Sequence, residues 1–80
     1  MNQYVATFHT HVSALLTCRT LTARSVSARM APVPRRLSSS CGTCVLYAAD
    51  APLLDAMDRD VEQVCLDNGE QDYTVLFRND

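Results

Sequence analysis

Apolar residues occur along this chain in short clusters whose spacing changes from every second residue to every third or fourth and back, and that alternation decides the class of fold. The segment Tyr4-Val5-Ala6-Thr7-Phe8 is rich in β-branched and aromatic residues and reads as a strand. Thr10 can cap a helix over about residues 11–22, in which Val12, Leu15, Leu16 and the aliphatic stem of Arg19 share helical spacing. Residues 26–31 alternate Val26, Ala28 and Met30 against Ser27, Arg29 and Ala31, a strand pattern that Pro32 and Pro34 end. After a polar stretch, Val45, Leu46, Tyr47 and Ala48 form a third strand signal. Asp50 followed by Pro52 is a helix-start signal. Leu53, Leu54, Met57, Val61, Val64 and Cys65 then fall on one helical face, with Asp55, Asp58, Asp60 and Glu62 opposite and Asp55 spaced to pair with Arg59. Gly69 stops that helix, and residues 73–77 read as the last strand.

The predicted order is therefore strand, helix, strand, strand, helix, strand. That is an α+β, ferredoxin-like βαββαβ arrangement, a four-stranded antiparallel sheet with two helices on one face. The other face is left open, or available for a homodimer. A chain of 80 residues is expected to form one domain over residues 1–80. So short a chain buries only about 60% of its unfolded surface, which excludes a large cleft enzyme. With 48% apolar and 20% charged residues the composition is globular, and no apolar run approaches the roughly eighteen residues of a membrane span.

Charge is segregated along the chain. Residues 1–49 hold Arg19, Arg24, Arg29, Arg35 and Arg36 without an acid, whereas residues 50–80 hold all nine acids against Arg59 and Arg78, so the two halves should attract when folded. The basic, Ser-rich first half imitates an organelle transit peptide. Against that, a strand-like segment precedes the first Arg at position 19, and removal would leave a remnant near the lower limit for folding. The expected compartment is the cytoplasm, where four cysteines suggest thiol or metal chemistry before structural disulfides. Nucleic-acid binding is disfavoured, because the acidic half follows and no aromatic residue is interleaved with the Arg pair.

The least ordinary segment joins the second and third strands: Pro32-Val33-Pro34-Arg35-Arg36-Leu37-Ser38-Ser39-Ser40-Cys41-Gly42-Thr43-Cys44. A thiol is a nucleophile only as the thiolate, which forms where cations, hydroxyls and backbone N–H groups converge. Arg35, Arg36, Ser38, Ser39, Ser40 and the Gly42 amide are the candidate donors around Cys41, and Gly42 lets the backbone turn so that they point at one centre. Cys44 is the candidate partner. As a resolving thiol it would attack a Cys41 persulfide, expel sulfide and leave a disulfide. A thioredoxin-type pair fits less well, since Cys41 and Cys44 lead into a strand and not a helix. The spacing also suits zinc, with His9, His11, Cys18 and Cys65 as completing ligands. Yet Cys18 and Cys65 lie at core-like helical positions, and both histidines sit at a strand-to-helix turn. Two plainer readings stay open: a solvated hairpin loop with incidental cysteines, and a regulatory or interaction module that binds an anion or partner through the Arg/Ser/Cys loop.

The opening Tyr-Val-Ala-Thr-Phe, the first-helix pattern, the Pro-Val-Pro-Arg segment and above all Leu-Ser-Ser-Ser-Cys-Gly resemble the putative Se/S carrier protein-like family of small bacterial proteins, over about residues 4–65. The chain departs from that pattern at Arg36, where family members often carry an acid, and at Cys44, a position that is frequently apolar. The resemblance implies that Cys41 holds sulfur or selenium as a persulfide or selenosulfide. A cysteine desulfurase-like donor and an acceptor protein are then expected as partners, with no cofactor, and the chain is expected to be a carrier and not a turnover enzyme.

Overall fold

The computed structural model describes residues 1–79. Strand β1 (Asn2–Phe8) leads into helix α1 (His11–Ala23), strands β2 (Ser27–Pro32) and β3 (Thr43–Ala49), a short 3-10 turn at Leu54–Ala56, and strands β4 (Val61–Asp67) and β5 (Tyr73–Arg78). The five strands form one sheet in the order β2-β3-β1-β4-β5, antiparallel throughout. The chain is thus α+β, with one helix on one face of a five-stranded sheet. No described helix is long and apolar enough to cross a membrane.

The crossover β1–α1–β2 leaves room for β3 between its two strands, as a split β-α-β unit does. Strands β3 and β4 flank β1 in the same way, but the connection between them holds only the 3-10 turn. The second helix expected after Asp50 is absent, and residues 61–67 pair with β1 instead. Leu53 takes a left-handed conformation (φ 53°), which breaks any helix started at Pro52.

The helical spacing of Val61, Val64 and Cys65 has another explanation. The pairing of β1 with β4 shifts register between Thr7 and Phe8, so Val61 lies opposite Phe8 while Val64 lies opposite Ala6. That bulge at Glu62 puts two valines three residues apart on the same core, a spacing an uninterrupted strand cannot give. Asp55 consequently pairs with Arg24 at 2.9 Å, not with Arg59.

Helix α1 starts as expected: the Thr10 hydroxyl accepts a hydrogen bond from the Ser13 N–H at 3.1 Å. The face it buries differs from the expected one. Ser13, Ala14, Thr17 and Leu21 turn inward, while Val12 and Leu16 remain 62% and 45% exposed. Small residues on that stripe suit a helix lying against a sheet face whose aromatic residues fill the space. Tyr4, Ala6 and Phe8, with Val45, Tyr47, Ala49, Val61 and Val64, make the buried cluster with Ala14 and Leu21, and Tyr4 stacks on Tyr47 at 5.2 Å. The inward hydroxyls are satisfied by the segment before β4. Ser13 donates to Asp58 Oδ2 (2.7 Å), and Thr17 accepts from the Asp58 N–H (2.9 Å).

The opposite sheet face carries Val5, Thr7, Cys44, Gln63 and Cys65 as cross-strand neighbours, and all of them are buried. Residues 36–38 of the β2–β3 connection stand over part of this face, beside Gln63, Val75 and Arg78.

Candidate functional site

The β2–β3 connection is a closed loop. The Val33 N–H donates to the Gly42 carbonyl at 3.1 Å. Gly42 takes φ 74°, where glycine is favoured on backbone grounds alone, since a methyl group added there would meet no atom within 4 Å. Between these ends the loop crosses the end of the sheet where β1 finishes and β4 begins. Residues 34–37 form a turn with Arg35 and Arg36 exposed, closed by the Leu37 N–H on the Pro34 carbonyl at 3.0 Å. Ser39 then donates to the Phe8 carbonyl at 2.9 Å. The Ser40 N–H and hydroxyl both donate to the Glu62 carboxylate, at 3.1 and 3.0 Å. Cys41 emerges on the helix side, half-buried against the core cluster.

Glu62, the residue at the bulge, therefore acts as the anchor for the loop. His9 Nδ1 lies 3.5 Å from its Oε2 and 3.5 Å from the Ser40 hydroxyl. Partial burial pushes the Glu62 carboxyl up, but the two hydrogen bonds from Ser40 and the neighbouring His9 outweigh this and hold it below the ordinary carboxylate value. Helical spacing puts Glu62 on the wet face of a helix, and the sheet corrects that placement. The one sequence signal for its real position is the Val61 and Val64 spacing, taken as a bulged strand.

The Cys41 sulfur lies 3.5 Å from the Thr43 carbonyl and 3.9 Å from the Ser39 hydroxyl oxygen. Because the Ser39 hydrogen is engaged by Phe8, both groups face Cys41 as acceptors, and the thiol is the donor.

The other expected donors are distributed differently. Ser40 is committed to Glu62, Arg35 and Arg36 lie in the exposed turn, and Ser38 lines grooves with Gln63 and Arg78 on the far sheet face. Among the described residues, neither Arg35 nor Arg36 forms an ion pair.

Cys44 is fully buried in β3, opposite Thr7 and Ala31, and its thiol donates to the Pro32 carbonyl at 3.6 Å. Burial pushes that thiol up to about 11, against a smaller opposing pull from Arg29 and with a further small push from Cys41. Cys44 shares the sheet face of Thr7, whereas Cys41 packs against the cluster on the helix side; both thiols are free. Burial also pushes up the Cys65 thiol, which lies fully enclosed in β4. Cys18 packs against the core from α1, and His11 reaches Thr43 Oγ1 at 3.4 Å. The candidate zinc ligands are thus scattered: among the described residues no three His, Cys, Asp or Glu side chains converge.

Comparison with known proteins places the chain by a family model. No curated protein and no solved structure matches it. A family model described as "Putative Se/S carrier protein-like" matches residues 3–69 of the 80, a span that runs from the second residue of β1 through β4 and includes the entire loop and Cys41. By that match the chain belongs to the putative Se/S carrier protein-like family.

Proposed function

We propose that this protein carries sulfur or selenium on Cys41 as a persulfide or selenosulfide, between a cysteine desulfurase-like donor and an acceptor protein. The observation that carries this reading is the presentation of Cys41. It sits on a loop pinned by Val33, Ser39 and Ser40, whereas Cys44 and Cys65 are enclosed in strands with thiols that burial keeps protonated. A pinned loop at the edge of a small sheet can enter a partner's active site and leave it without unfolding.

Loading is a thiol exchange without net redox change. The Cys41 thiolate attacks the outer sulfur of a donor persulfide, a new S–S bond forms, and the donor cysteine leaves as thiolate. Unloading is the same step with an acceptor thiolate attacking the outer sulfur and Cys41 leaving. When Cys41 is anionic, Ser39 turns its hydroxyl hydrogen from the Phe8 carbonyl to the sulfur, over the 3.9 Å that separates them. The chain is a carrier, since each cycle restores the Cys41 thiol only after an acceptor has taken the cargo. Cys44 is fully buried in β3, and in this reading it packs the strand and does not resolve the persulfide.

The test is mass spectrometry after incubation with a cysteine desulfurase and cysteine. One sulfur adds about 32 Da to the wild type, and Cys41→Ala adds none. Cys44→Ala loads, and keeps its sulfur as long as the wild type does. An unloaded wild-type protein, with the desulfurase active on a known acceptor, would remove the carrier reading and leave the loop as an interaction module.

A further inference from the structure

On the sheet face away from α1, residues 36–38 of the loop and the hairpin of β4 and β5 enclose a groove of about 310 Å³, lined by Arg36, Ser38, Gln63, Tyr73 and Arg78 among others. A second groove continues from Ser38, Gln63 and Arg78 towards His9 and Glu62. Three features set this trough apart. Neither Arg36 nor Arg78 has a carboxylate within ion-pair distance among the described residues. Two acids line the trough as well, each with partners of its own: Asp72, in the first groove, accepts from Asn68 Nδ2 at 3.1 Å, and Glu62, in the second, holds Ser40 and His9. Finally, Gln63 is 8% exposed, and its carbonyl oxygen is turned to Arg78 Nη2 at 3.5 Å, which leaves its amide N–H groups as free donors.

We propose that the groove between residues 36–38 and strands β4 and β5 binds a phosphate-type oxyanion, held by the Arg36 and Arg78 guanidinium groups with Ser38 and Gln63 as neutral donors. Two guanidinium forks, a hydroxyl and an amide supply more donors than a carboxylate can accept from, and they suit a tetrahedral anion with three or four oxygens. Arg78 lies beyond residues 3–69, so one of the site's two arginines comes from a strand wholly outside the family match. The site is separate from Cys41, which stands on the helix side of the loop.

Titration with inorganic phosphate at constant ionic strength, followed by the Ser38 backbone and Gln63 side-chain amide resonances, tests the proposal. Saturable shifts are expected. Arg36→Gln and Arg78→Gln should each weaken binding about tenfold, the loss of one charge-assisted hydrogen-bonded contact. Arg35→Gln, in the same exposed turn but outside the groove lining, should change it less than about twofold if the contact is specific and not general attraction. Cys41→Ala should bind as the wild type does, so failure of the carrier reading would leave this result standing. AMP tighter than phosphate would assign the site to monoesters, and weaker would assign it to the free ion. Acetate binding as well as phosphate, no saturation, or equal losses from Arg35→Gln and Arg36→Gln would each overturn the proposal. Should Arg78→Gln loosen β5, the pair of variants in the exposed turn still decides it.

Discussion

Replacing Glu62 by Ala removes the acceptor for both the N–H and the hydroxyl of Ser40, bonds of 3.1 and 3.0 Å. A hydrogen bond to a charged acceptor contributes about 1.5–3 kcal/mol when shielded. Ser40 is exposed and its freed donors can turn to water, so each bond is discounted to about 1 kcal/mol, about 2 kcal/mol for the pair. The half-exposed His9 adds little. For a domain of this size that corresponds to a fall in Tm of roughly 8–16 °C.

The pH dependence separates this explanation from simple loss of packing. The folded-state carboxyl is held below its ordinary value, so its contribution is fully present above the unfolded pKa of about 4.3 and disappears as pH falls through the lower folded value. Urea unfolding of wild type and Glu62→Ala should therefore differ by about 2 kcal/mol at pH 7, and the gap should narrow at the acid end of that window, where the protonated carboxyl keeps only a neutral acceptor. Glu62→Gln, which keeps one acceptor oxygen, should recover part of the stability without the pH dependence. Amide exchange at Ser40 should accelerate in Glu62→Ala at neutral pH. A wild-type advantage that persists unchanged in acid would mean that Glu62 acts through packing, and the anchor argument would fail.

Thr7 Oγ1 is buried without a hydrogen-bond partner, so Thr7→Val, which keeps the shape, should stabilise the fold by about 1 kcal/mol in urea titration; a loss of similar size would reveal a partner for the hydroxyl. Gly42→Ala should cost about 1 kcal/mol from its φ of 74° alone, because no neighbouring atom obstructs the added methyl group, and a loss several times larger would show that the loop closure tolerates no adjustment. Timed iodoacetamide labelling at pH 8 should modify Cys41 well before Cys44, whose thiol is fully buried and pushed up to about 11; equal rates would mean that β3 opens at the Cys44 position under native conditions.

Much of the β1–α1–β2–β3 half is legible in the sequence because each element carries a local signal: the Thr10 cap, the alternation up to Pro32, and the apolar run after Gly42. Two features are not. The buried face of α1 escapes because Val12 and Leu16 are apolar yet exposed, and the inward stripe is built from small and hydroxyl-bearing residues whose partners, above all Asp58, are 41 to 45 residues distant. Strand β4 reads as a helix because a bulge imitates helical spacing, and periodicity alone cannot separate the two when an apolar cluster is this short. The loop stands out by its composition, but its anchors, Glu62 and the Phe8 carbonyl, belong to neighbouring strands and become visible only once the sheet order is known.

The segregation of charge takes on a different meaning in the folded chain. Attraction between a basic first half and an acidic second half suggests salt bridges, yet among the described residues the only arginine–carboxylate pair is Arg24 with Asp55, an exposed pair of small energetic weight. Acids of the second half serve instead as acceptors for hydroxyls and amides of the first: Asp58 for Ser13, and Glu62 for Ser40. That division explains how arginines can stay free near a carboxylate-rich surface. With Glu62 bound to the loop backbone and Asp72 to its own hairpin, Arg36 and Arg78 are left to face the groove, on the side of the loop opposite the thiol. One loop thus carries the Cys41 thiol on the helix side and Arg36 on the groove side, and the Ser40–Glu62 contact anchors it between the two.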